Sequence, residues 1–223
     1  MSYVPHPFLS YTEKMNFYQR AMNTITFLVE EYNYHIHHLP NQKRLYEKYF
    51  PNAKKSFHEM LKSSSIIFAN THVSLSSARP LLPNMIDVGG IHISEPKPLP
   101  NDLKSFLDKA EYGVILFSMG SVIQANKWPV SKREAFVNTF RKLKQKIIWK
   151  YENETLPSKP ENVYIASWLP QRDILHHPNI KLFITHGGYL STTEAAYEGI
   201  QTLGIPVYGD QMVILNLFIL FSK

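Results

Sequence analysis

The sequence predicts an α/β fold in which a doubly wound, parallel, Rossmann-like sheet follows a helical and extended segment. Two observations predict this fold. After about residue 100, short apolar strands alternate with helix-like segments, which is the order typical of a parallel sheet covered by helices. Before that point the pattern is irregular and ends in a proline-rich stretch. The expected division is therefore 1–100 and 101–223, and a chain of 223 residues suits one complete domain plus part of another.

In the first part, apolar residues at helical spacing predict a long helix over residues 11–38. A second helix is predicted over residues 42–50. The apolar run at residues 65–70 predicts a strand. Prolines punctuate residues 80–100, which we interpret as an extended, linker-like stretch.

In the second part, short apolar runs predict strands, and longer segments with helical spacing predict helices. Ser131 and Glu134 have the capping-box spacing expected at the start of the first of these helices. The predicted order is a strand at 113–118, a helix at 131–145, a strand at 146–149, a strand at 163–166, a short helix after Pro170, a strand at 181–185, a helix at 191–198 and a strand at 203–207.

Composition excludes several classes of function. The chain has no cysteine, which excludes disulfides, thiolate catalysis and cysteine-ligated zinc. A formal charge of +6 suits an anionic ligand, a nucleic acid or an acidic membrane surface. The densest basic run, residues 141–146, falls on a predicted helix whose Phe136, Phe140 and Leu143 form an apolar stripe. We therefore interpret its lysines as an outward, solvated face and predict no nucleic-acid partner.

Short motifs follow the predicted strands of the second part. They are FSMGS at residues 117–121, WLPQRD at 168–173, THGG at 185–188, STTEA at 191–195 and GDQ at 209–211. Ligands of doubly wound sheets bind outside the carboxyl ends of the strands, so we expect four strand ends to converge on one crevice. A glycine turn between a strand and a helix lets backbone N–H groups and the helix dipole approach a diphosphate. These motifs predict a nucleotide-sugar pocket.

With these motifs the chain resembles the UDP-glycosyltransferase family, which includes the UDP-glucuronosyltransferases, and it looks most like the insect-type members. The resemblance implies that residues 101–223 are the C-terminal, donor-binding domain of a GT-B fold. Residues 1–100 would then be a remnant of the N-terminal acceptor domain with the interdomain linker. Further family-like segments are PHPFLSY from Pro5, RPLLPN from Arg79, DVGGIHI from Asp87 and PKPLP from Pro96.

The resemblance implies a donor-binding role for residues that also have structural interpretations. Trp168 would stack on the uracil ring, and its alternative is a place in the core. Gln171 would lie near the uracil and the ribose, and its alternative is a position at a helix start. His186 would donate to a phosphate oxygen beside Gly188, and Ser121 follows the first strand at the same crevice.

Four further donor-binding residues come from the last two motifs. Ser191 would serve a phosphate, and Glu194 would accept hydrogen bonds from the ribose hydroxyls. The same two residues have capping-box spacing, and both interpretations can hold. Asp210 and Gln211 resemble the pair that contacts the hexose hydroxyls, and they are compatible with UDP-glucose and with UDP-glucuronate.

The implied reaction is inverting transfer of a hexosyl group from a UDP-sugar to a small lipophilic acceptor. A histidine held by an aspartate in the N-terminal domain would act as general base. That region is expected to be missing here, so we name no catalytic residue. The scheme requires no metal and no cofactor beyond the UDP-sugar co-substrate. One alternative is a non-catalytic product that binds UDP-sugar or associates with full-length relatives as a homo- or hetero-oligomer. A nucleotide-sugar epimerase is disfavoured by WLPQ together with HGG and GDQ.

Other features bear on metal binding and on location. His35, His37 and His38 suggest a metal site, but no Asp, Glu or Cys stands at ligand spacing, so we favour a helix end or a loop. The resemblance implies a lumen-facing protein of the endoplasmic reticulum membrane. We predict no signal peptide and no membrane span in the chain itself, because residues 212–221 are about half the ~20 needed. The family pattern expects an asparagine where Ile214 stands, with Asn216 out of register.

Overall fold

The computed structural model describes residues 3–72 and 81–215. By its contacts the chain separates into two compact units, Met1–Val88 and Gly89–Lys223. Arg79 and Pro80 of the RPLLPN segment lie outside the described residues, as do Asn216 and the apolar end that follows it. Within the described ranges, no helix is both long enough and apolar enough to cross a bilayer.

The long helix of the first unit begins later than predicted. Helix α1 (Phe17–Asn33) starts after Asn16, whose side-chain oxygen accepts a hydrogen bond from Gln19 N at 2.9 Å. In return, Asn16 N donates to Gln19 Oε1 at 3.0 Å. This reciprocal capping box fixes the first turn of the helix, so the predicted start at Tyr11 is wrong.

The chain also continues as a helix beyond His38. After α1 it passes through one wide turn of π-helix (Tyr34–His38) into helix α2 (Leu39–Tyr49). Pro40 lies in the first turn of α2, and a proline has no N–H and clashes with the carbonyl of the preceding turn. The wide turn, closed by Leu39 N donating to Tyr34 O, accommodates it. The histidines of this turn therefore lie inside a helix, where a helix end or loop was predicted.

A short parallel sheet follows in the first unit. Strand β1 (Ile67–Ala69) confirms the strand predicted over residues 65–70, and β2 (Met85–Asp87) pairs with it in parallel. The sequence pattern did not predict β2, which lies in the stretch interpreted as extended. It also did not predict the short helix α3 (Phe57–Leu61), whose first turn is capped by Ser56.

The second unit contains the predicted doubly wound sheet. Its elements are α4 (Asn101–Asp108), β3 (Val114–Ser118), α5 (Val130–Arg141), β4 (Lys146–Lys150), β5 (Val163–Ala166), α6 (Gln171–Leu175), β6 (Ile180–Thr185), α7 (Tyr189–Tyr197) and β7 (Thr202–Gly204). The described strands form one parallel sheet in the order β5, β4, β3, β6, β7. From β3 the chain runs to one side through β4 and β5, and then returns to the other side of β3 with β6 and β7. The winding therefore reverses between β3 and β6, and such a switch point opens a crevice at the carboxyl ends of the strands.

The core of the second unit lies on both faces of the central strand β3, whose residues are all buried. Leu116 faces a cluster that includes buried residues of α4, α6 and α7. Phe117, on the opposite face, packs in a cluster with α5 and stacks on Trp149 of β4 with ring centroids 5.2 Å apart. Full burial of a large apolar side chain contributes about 1.5–3 kcal/mol to folding, so this two-sided packing fixes the strand that carries one wall of the crevice.

Helix α5 begins directly after Pro129, which occupies the N-cap position without a side-chain hydrogen bond. Ser131 and Glu134 lie inside the helix, so the capping box predicted for them is wrong. The helix ends at Arg141 rather than at Gln145, because the chain must turn there to enter β4.

The basic run 141–146 is only partly a solvated face. Arg141, Lys142 and Lys144 are exposed, as predicted. Lys146 is half-buried in β4, where Nζ donates to the carbonyl oxygen of Phe106 at 3.0 Å and lies 4.7 Å from the centre of its ring. The prediction that this lysine points outward is therefore wrong, because the run leaves the helix before reaching it.

Helix α4 and the segment before it pack on the sheet. Leu103 and Leu107 of α4 are buried in the core, although the sequence pattern was not interpreted as helical there. Residues 89–100 belong to the second unit. Lys97 N donates to Asp173 Oδ1 at 2.7 Å, and Leu99 packs against the core.

Among the described strands, β7 lies at the edge of the sheet, and it is shorter than predicted. Ile205 N still donates to Thr185 O at 2.8 Å, which continues the pairing with β6. The next amide in register, Val207 N, donates instead to Gln211 Oε1 at 2.8 Å. The predicted strand end at Val207 is therefore wrong, because a side-chain acceptor replaces the ladder.

Candidate active site

A cleft of about 590 Å³ opens at the carboxyl ends of the strands of the second unit, which is a typical volume for a small-molecule site. It lies over the switch point between β3 and β6, and the first turns of α6 and α7 form part of its wall. The residues that line it are Leu116, Ser118, Gly120, Ser121, Val122, Lys150, Trp168, Leu169, Pro170, Gln171, Arg172, Asp173, His186, Gly188, Tyr189, Leu190, Ser191 and Glu194.

All nine predicted site residues are described by the structure, and seven of them line the cleft. The two that do not are Asp210 and Gln211. The strands whose carboxyl ends reach the cleft are β3, β4, β5 and β6, whereas the GDQ motif was expected to bring the end of β7 there. The physical reason is position, because β7 is the edge strand and the chain leaves it several residues before Gly209.

His186 is held between two glycines. A Cβ atom placed on Gly120 would lie 2.6 Å from Cε1 of His186, and one placed on Gly188 would lie 2.6 Å from Nε2. Gly120 also has φ of +76°, a backbone conformation that residues other than glycine rarely adopt. Gly120 of FSMGS and Gly188 of THGG are therefore both required by the same imidazole ring, although they are far apart in sequence.

The protonation of His186 follows from its surroundings. Burial lowers the pKa of His186 below its ordinary value of 6.5, and the negative charge of Asp210 offsets part of that shift. The imidazole is thus neutral at pH 7 and carries one N–H donor and one acceptor nitrogen. Nδ1 lies 3.5 Å from Thr185 Oγ1.

Helix α7 starts at the glycine turn itself. Gly188 is the N-cap residue, and the first bond of the helix is from Thr192 N to Gly188 O at 2.9 Å. The N–H groups of Leu190 and Ser191 precede that bond and have no acceptor within the helix. Ser191 lies inside the first turn, so the capping box predicted for Ser191 and Glu194 is wrong.

Gln171 joins the two helices that border the cleft. It is the first residue of α6, and its Nε2 donates to Ser191 Oγ at 3.0 Å and to Glu194 Oε2 at 2.7 Å on α7. His92 Nε2 lies 3.9 Å from Glu194 Oε1 on the other side of the carboxylate. Side-chain exposure is 16% for Glu194, so the hydrogen bonds to this charged group are poorly screened by water.

Trp168 follows β5 at the outer edge of the cleft. It is 75% exposed, which excludes the alternative of a core tryptophan. The next residue, Leu169, is buried and anchors the segment between β5 and α6. Pro170 directly precedes α6. A flat indole face is therefore open to a ring that enters the cleft.

Asp210 and Gln211 have different surroundings. Gln211 is buried, and its Oε1 accepts hydrogen bonds from Val207 N at 2.8 Å and Tyr208 N at 3.1 Å. It thereby closes the turn after β7. Asp210 does not line the cleft, but its charge acts on His186.

Lys150 is a lining residue that the sequence interpretation missed. It ends β4, its side chain is 11% exposed, and its Nζ lies 3.1 Å from Glu152 Oε1. The signal was present, since a lysine closes the apolar run of β4 at a strand end. Arg172, also missed, pairs with Glu198 and lies over the ring of Tyr197.

Metal ligands do not gather in the described parts of the chain. Across residues 3–72 and 81–215, no group of three or more histidine, aspartate and glutamate side chains is close enough to hold a metal ion. His35 of the π-helical turn pairs with Glu31, four residues earlier, at 2.9 Å, so the statement that no carboxylate stands at ligand spacing beside these histidines is wrong.

The sheet order and the cleft at its switch point define a ligand-binding protein of the doubly wound α/β class. The family model described as UDP-glucoronosyl and UDP-glucosyl transferase matches residues 1–217, and the chain belongs to that family. The family is one of enzymes, the UDP-dependent glycosyltransferases.

Similar proteins come from insects and vertebrates. The chain is 42% identical over 211 residues to UDP-glycosyltransferase UGT5 of Dactylopius coccus, a match that covers 94% of this chain and 40% of that protein. It is 35% identical over 211 residues to 2-hydroxyacylsphingosine 1-beta-galactosyltransferase of Rattus norvegicus, covering 94% and 39%. The chain thus spans about two-fifths of the length of these relatives.

A solved structure supports the fold. The glycotransferase of kitacinnamycin superposes with a TM-score of 0.58 at 16% identity, over 92% of this chain and 52% of that chain. At this identity the likeness shows the fold alone, and it confirms the predicted GT-B-like architecture.

Proposed function

We propose that the cleft binds the UDP part of a UDP-sugar and that the chain forms the donor-binding part of a glycosyltransferase. The reaction is inverting transfer of glucose or glucuronate to a small lipophilic acceptor. The observation that carries this proposal is the His186 ring between Gly120 and Gly188 at the start of α7, beside the bonded side chains of Gln171 and Glu194.

The phosphate-binding side combines three kinds of donor. The N–H groups of Leu190 and Ser191 stand at the positive end of α7, where an anion is stabilised. The neutral imidazole of His186 offers one N–H. Lys150 adds a positive charge from the end of β4. Together they stabilise the charge that develops on UDP as it leaves.

The nucleoside-binding side consists of Trp168, Gln171 and Glu194. The exposed indole of Trp168 stacks on the uracil ring. Glu194, fixed by Gln171 at 2.7 Å, accepts hydrogen bonds from the ribose hydroxyls. Ser191 and Ser121 complete the pocket with hydroxyl groups.

The hexose-binding side involves Asp210 and Gln211, which lie beyond the cleft lining. We propose that Asp210 accepts from hexose hydroxyls. Gln211 Oε1 is occupied by two backbone amides, so Gln211 offers its Nε2 group instead. The general base that activates the acceptor belongs to the N-terminal domain in this proposal, and the scheme uses no metal ion.

Calorimetric titration with UDP tests the proposal. Wild-type chain binds UDP saturably and UMP more weakly, because UMP lacks the second phosphate. The His186→Ala, Glu194→Ala double variant loses UDP binding. Glu154→Gln, a change on an exposed loop residue, serves as the control and binds like wild type. A folded wild-type chain that does not bind UDP would contradict the proposal.

A further inference from the structure

Glu152 does not line the cleft itself, but it contacts two segments that do. One carboxylate oxygen, Oε1, lies 3.1 Å from Nζ of Lys150. The other, Oε2, accepts a hydrogen bond from Asn126 N at 3.2 Å. Side-chain exposure is 17% for Glu152, so both interactions are largely shielded from water. One side chain thus contacts the end of β4 and the loop between β3 and α5.

The contact with Lys150 determines where a buried ammonium group lies. With 11% of its side chain exposed, Lys150 has lost most of its hydration, and an unpaired charge there would be costly. Glu152 supplies the opposite charge from two residues further along the chain. The flexible lysine side chain is thereby restricted to the wall of the cleft.

The contact with Asn126 fixes the loop that carries Ser121. This loop, residues 119–128, connects β3 to α5 and contains one turn of 3-10 helix, Ala125–Lys127, which carries Asn126. Asn126 Nδ2 also donates to Asn153 Oδ1 at 2.7 Å, and Arg133 NH1 donates to Asn126 O at 2.8 Å. The segment after β4 therefore holds this loop through two bonds, of which the one to Glu152 is partly buried, and Arg133 of α5 adds a third.

We propose that Glu152 is a positioning residue of the donor site, which holds the ammonium group of Lys150 and the loop of Ser121 in place to face the diphosphate. This inference rests on the proposed function, because the diphosphate is its ligand. Glu152 acts through Lys150 and Asn126 and is not itself a lining residue.

UDP binding to four proteins tests the coupling to Lys150. They are wild type, Glu152→Gln, Lys150→Met and the double variant, each as the full chain. A glutamine at 152 retains an acceptor for Asn126 N but loses the ion pair with Lys150. We expect Glu152→Gln to weaken UDP binding by roughly three- to tenfold in wild type, and not at all in the Lys150→Met background. Glu154→Gln removes the same charge from an exposed position in the segment after β4, and it leaves UDP binding within twofold of wild type.

Two outcomes would overturn the proposed positioning of Lys150 by Glu152. If Glu152→Gln tightens UDP binding in wild type, the carboxylate merely repels the phosphates. If it weakens binding equally in both backgrounds, Glu152 supports the fold without positioning Lys150.

Amide exchange tests the loop independently of any ligand. Hydrogen exchange of residues 119–128, followed by mass spectrometry, is expected to be at least tenfold faster in Glu152→Ala than in wild type, and unchanged in Glu152→Gln. Equal exchange in Glu152→Ala and wild type would overturn the anchoring of the loop. Failure of wild type to bind UDP would contradict the proposed function, whereas this exchange comparison would still decide the role of Glu152.

Discussion

Gln171 Nε2 donates to Glu194 Oε2 at 2.7 Å, and this bond fixes the carboxylate before any ligand enters the cleft. The same nitrogen reaches Ser191 Oγ at 3.0 Å. Since α6 carries the amide and α7 carries both acceptors, one glutamine sets the distance between the two helix starts.

Replacing Gln171 by methionine keeps the side-chain volume and removes both hydrogen bonds. Loss of a hydrogen bond to a charged group costs about 1.5–3 kcal/mol, so we expect UDP affinity to fall about ten- to hundredfold. Titration calorimetry measures this change. Gln201→Met, at an exposed position, is the matched control. Unchanged affinity in Gln171→Met would contradict a role of this bond in donor binding.

Gly188→Ala tests the space around His186. The added Cβ would meet Nε2 at 2.6 Å although the backbone at Gly188 is ordinary, so the effect is steric. Overpacking of this kind costs about 1–3 kcal/mol of unfolding free energy. Denaturant unfolding checks the value. In a His186→Ala background the same substitution is expected to cost little, and an equal cost in both backgrounds would refute the clash.

The stability of the fold should depend on pH through His186. Its folded-state pKa lies below the ordinary value of 6.5, so the unfolded chain binds more protons as the pH falls through 6.5. Stability therefore decreases from pH 6.5 down to the folded-state pKa and then levels off. Urea unfolding between pH 8 and 5 should show this loss in wild type and a smaller loss in His186→Gln. Parallel profiles for the two proteins would exclude His186 as the cause.

Trp168 provides an optical test of stacking. Trp149 is fully buried and Trp128 packs against Phe117 and Phe136, whereas Trp168 is 75% exposed at the cleft. Acrylamide should therefore quench mainly Trp168, and saturating UDP should protect it. Trp168→Ala is expected to lose about 1–3 kcal/mol of binding, the usual value for base–aromatic stacking. Quenching that UDP does not alter would contradict the stacking.

Removing metal ions should leave UDP binding unchanged. The proposed phosphate donors are protein groups, namely the first N–H groups of α7, the imidazole of His186 and the ammonium of Lys150. We expect titrations with EDTA and with added Mg²⁺ to give dissociation constants within twofold. Binding that requires the added ion would show that the diphosphate enters as a metal complex.

The sequence predicted the alternating part of the fold well, because β3, β4, β5 and β6 each contain a short apolar run. Strand β5 was predicted with its observed ends. The motifs at the carboxyl ends of β3, β5 and β6 meet at one cleft, as predicted. The first residues of the helices were predicted less accurately. Two capping boxes were predicted from Ser and Glu spacing, yet Pro129 and Gly188 occupy the N-cap positions.

Two of the missed features, the place of Lys150 and the requirement for glycine at position 120, depend on contacts distant in sequence. Lys150 stands at a recognisable strand end, but it belongs to the cleft because β4 lies beside β3, and the local sequence does not show which strands are neighbours. Gln211 is different, because its oxygen accepts from backbone N–H groups only three and four residues earlier, in the turn after β7. The requirement for glycine at position 120 comes from a ring on another strand end.

The order of the strands has a consequence for how the chain folds. Val114 of β3 pairs with Lys146 on one side and, on the other, with Ile180, roughly twice as far along the chain. Closing the longer loop costs more conformational entropy, so β3 and β4 are expected to associate before β6 joins them. The cleft spans the junction that forms last. A ligand that contacts both walls of the cleft should therefore bind only the fully folded chain and not the earlier folding intermediates.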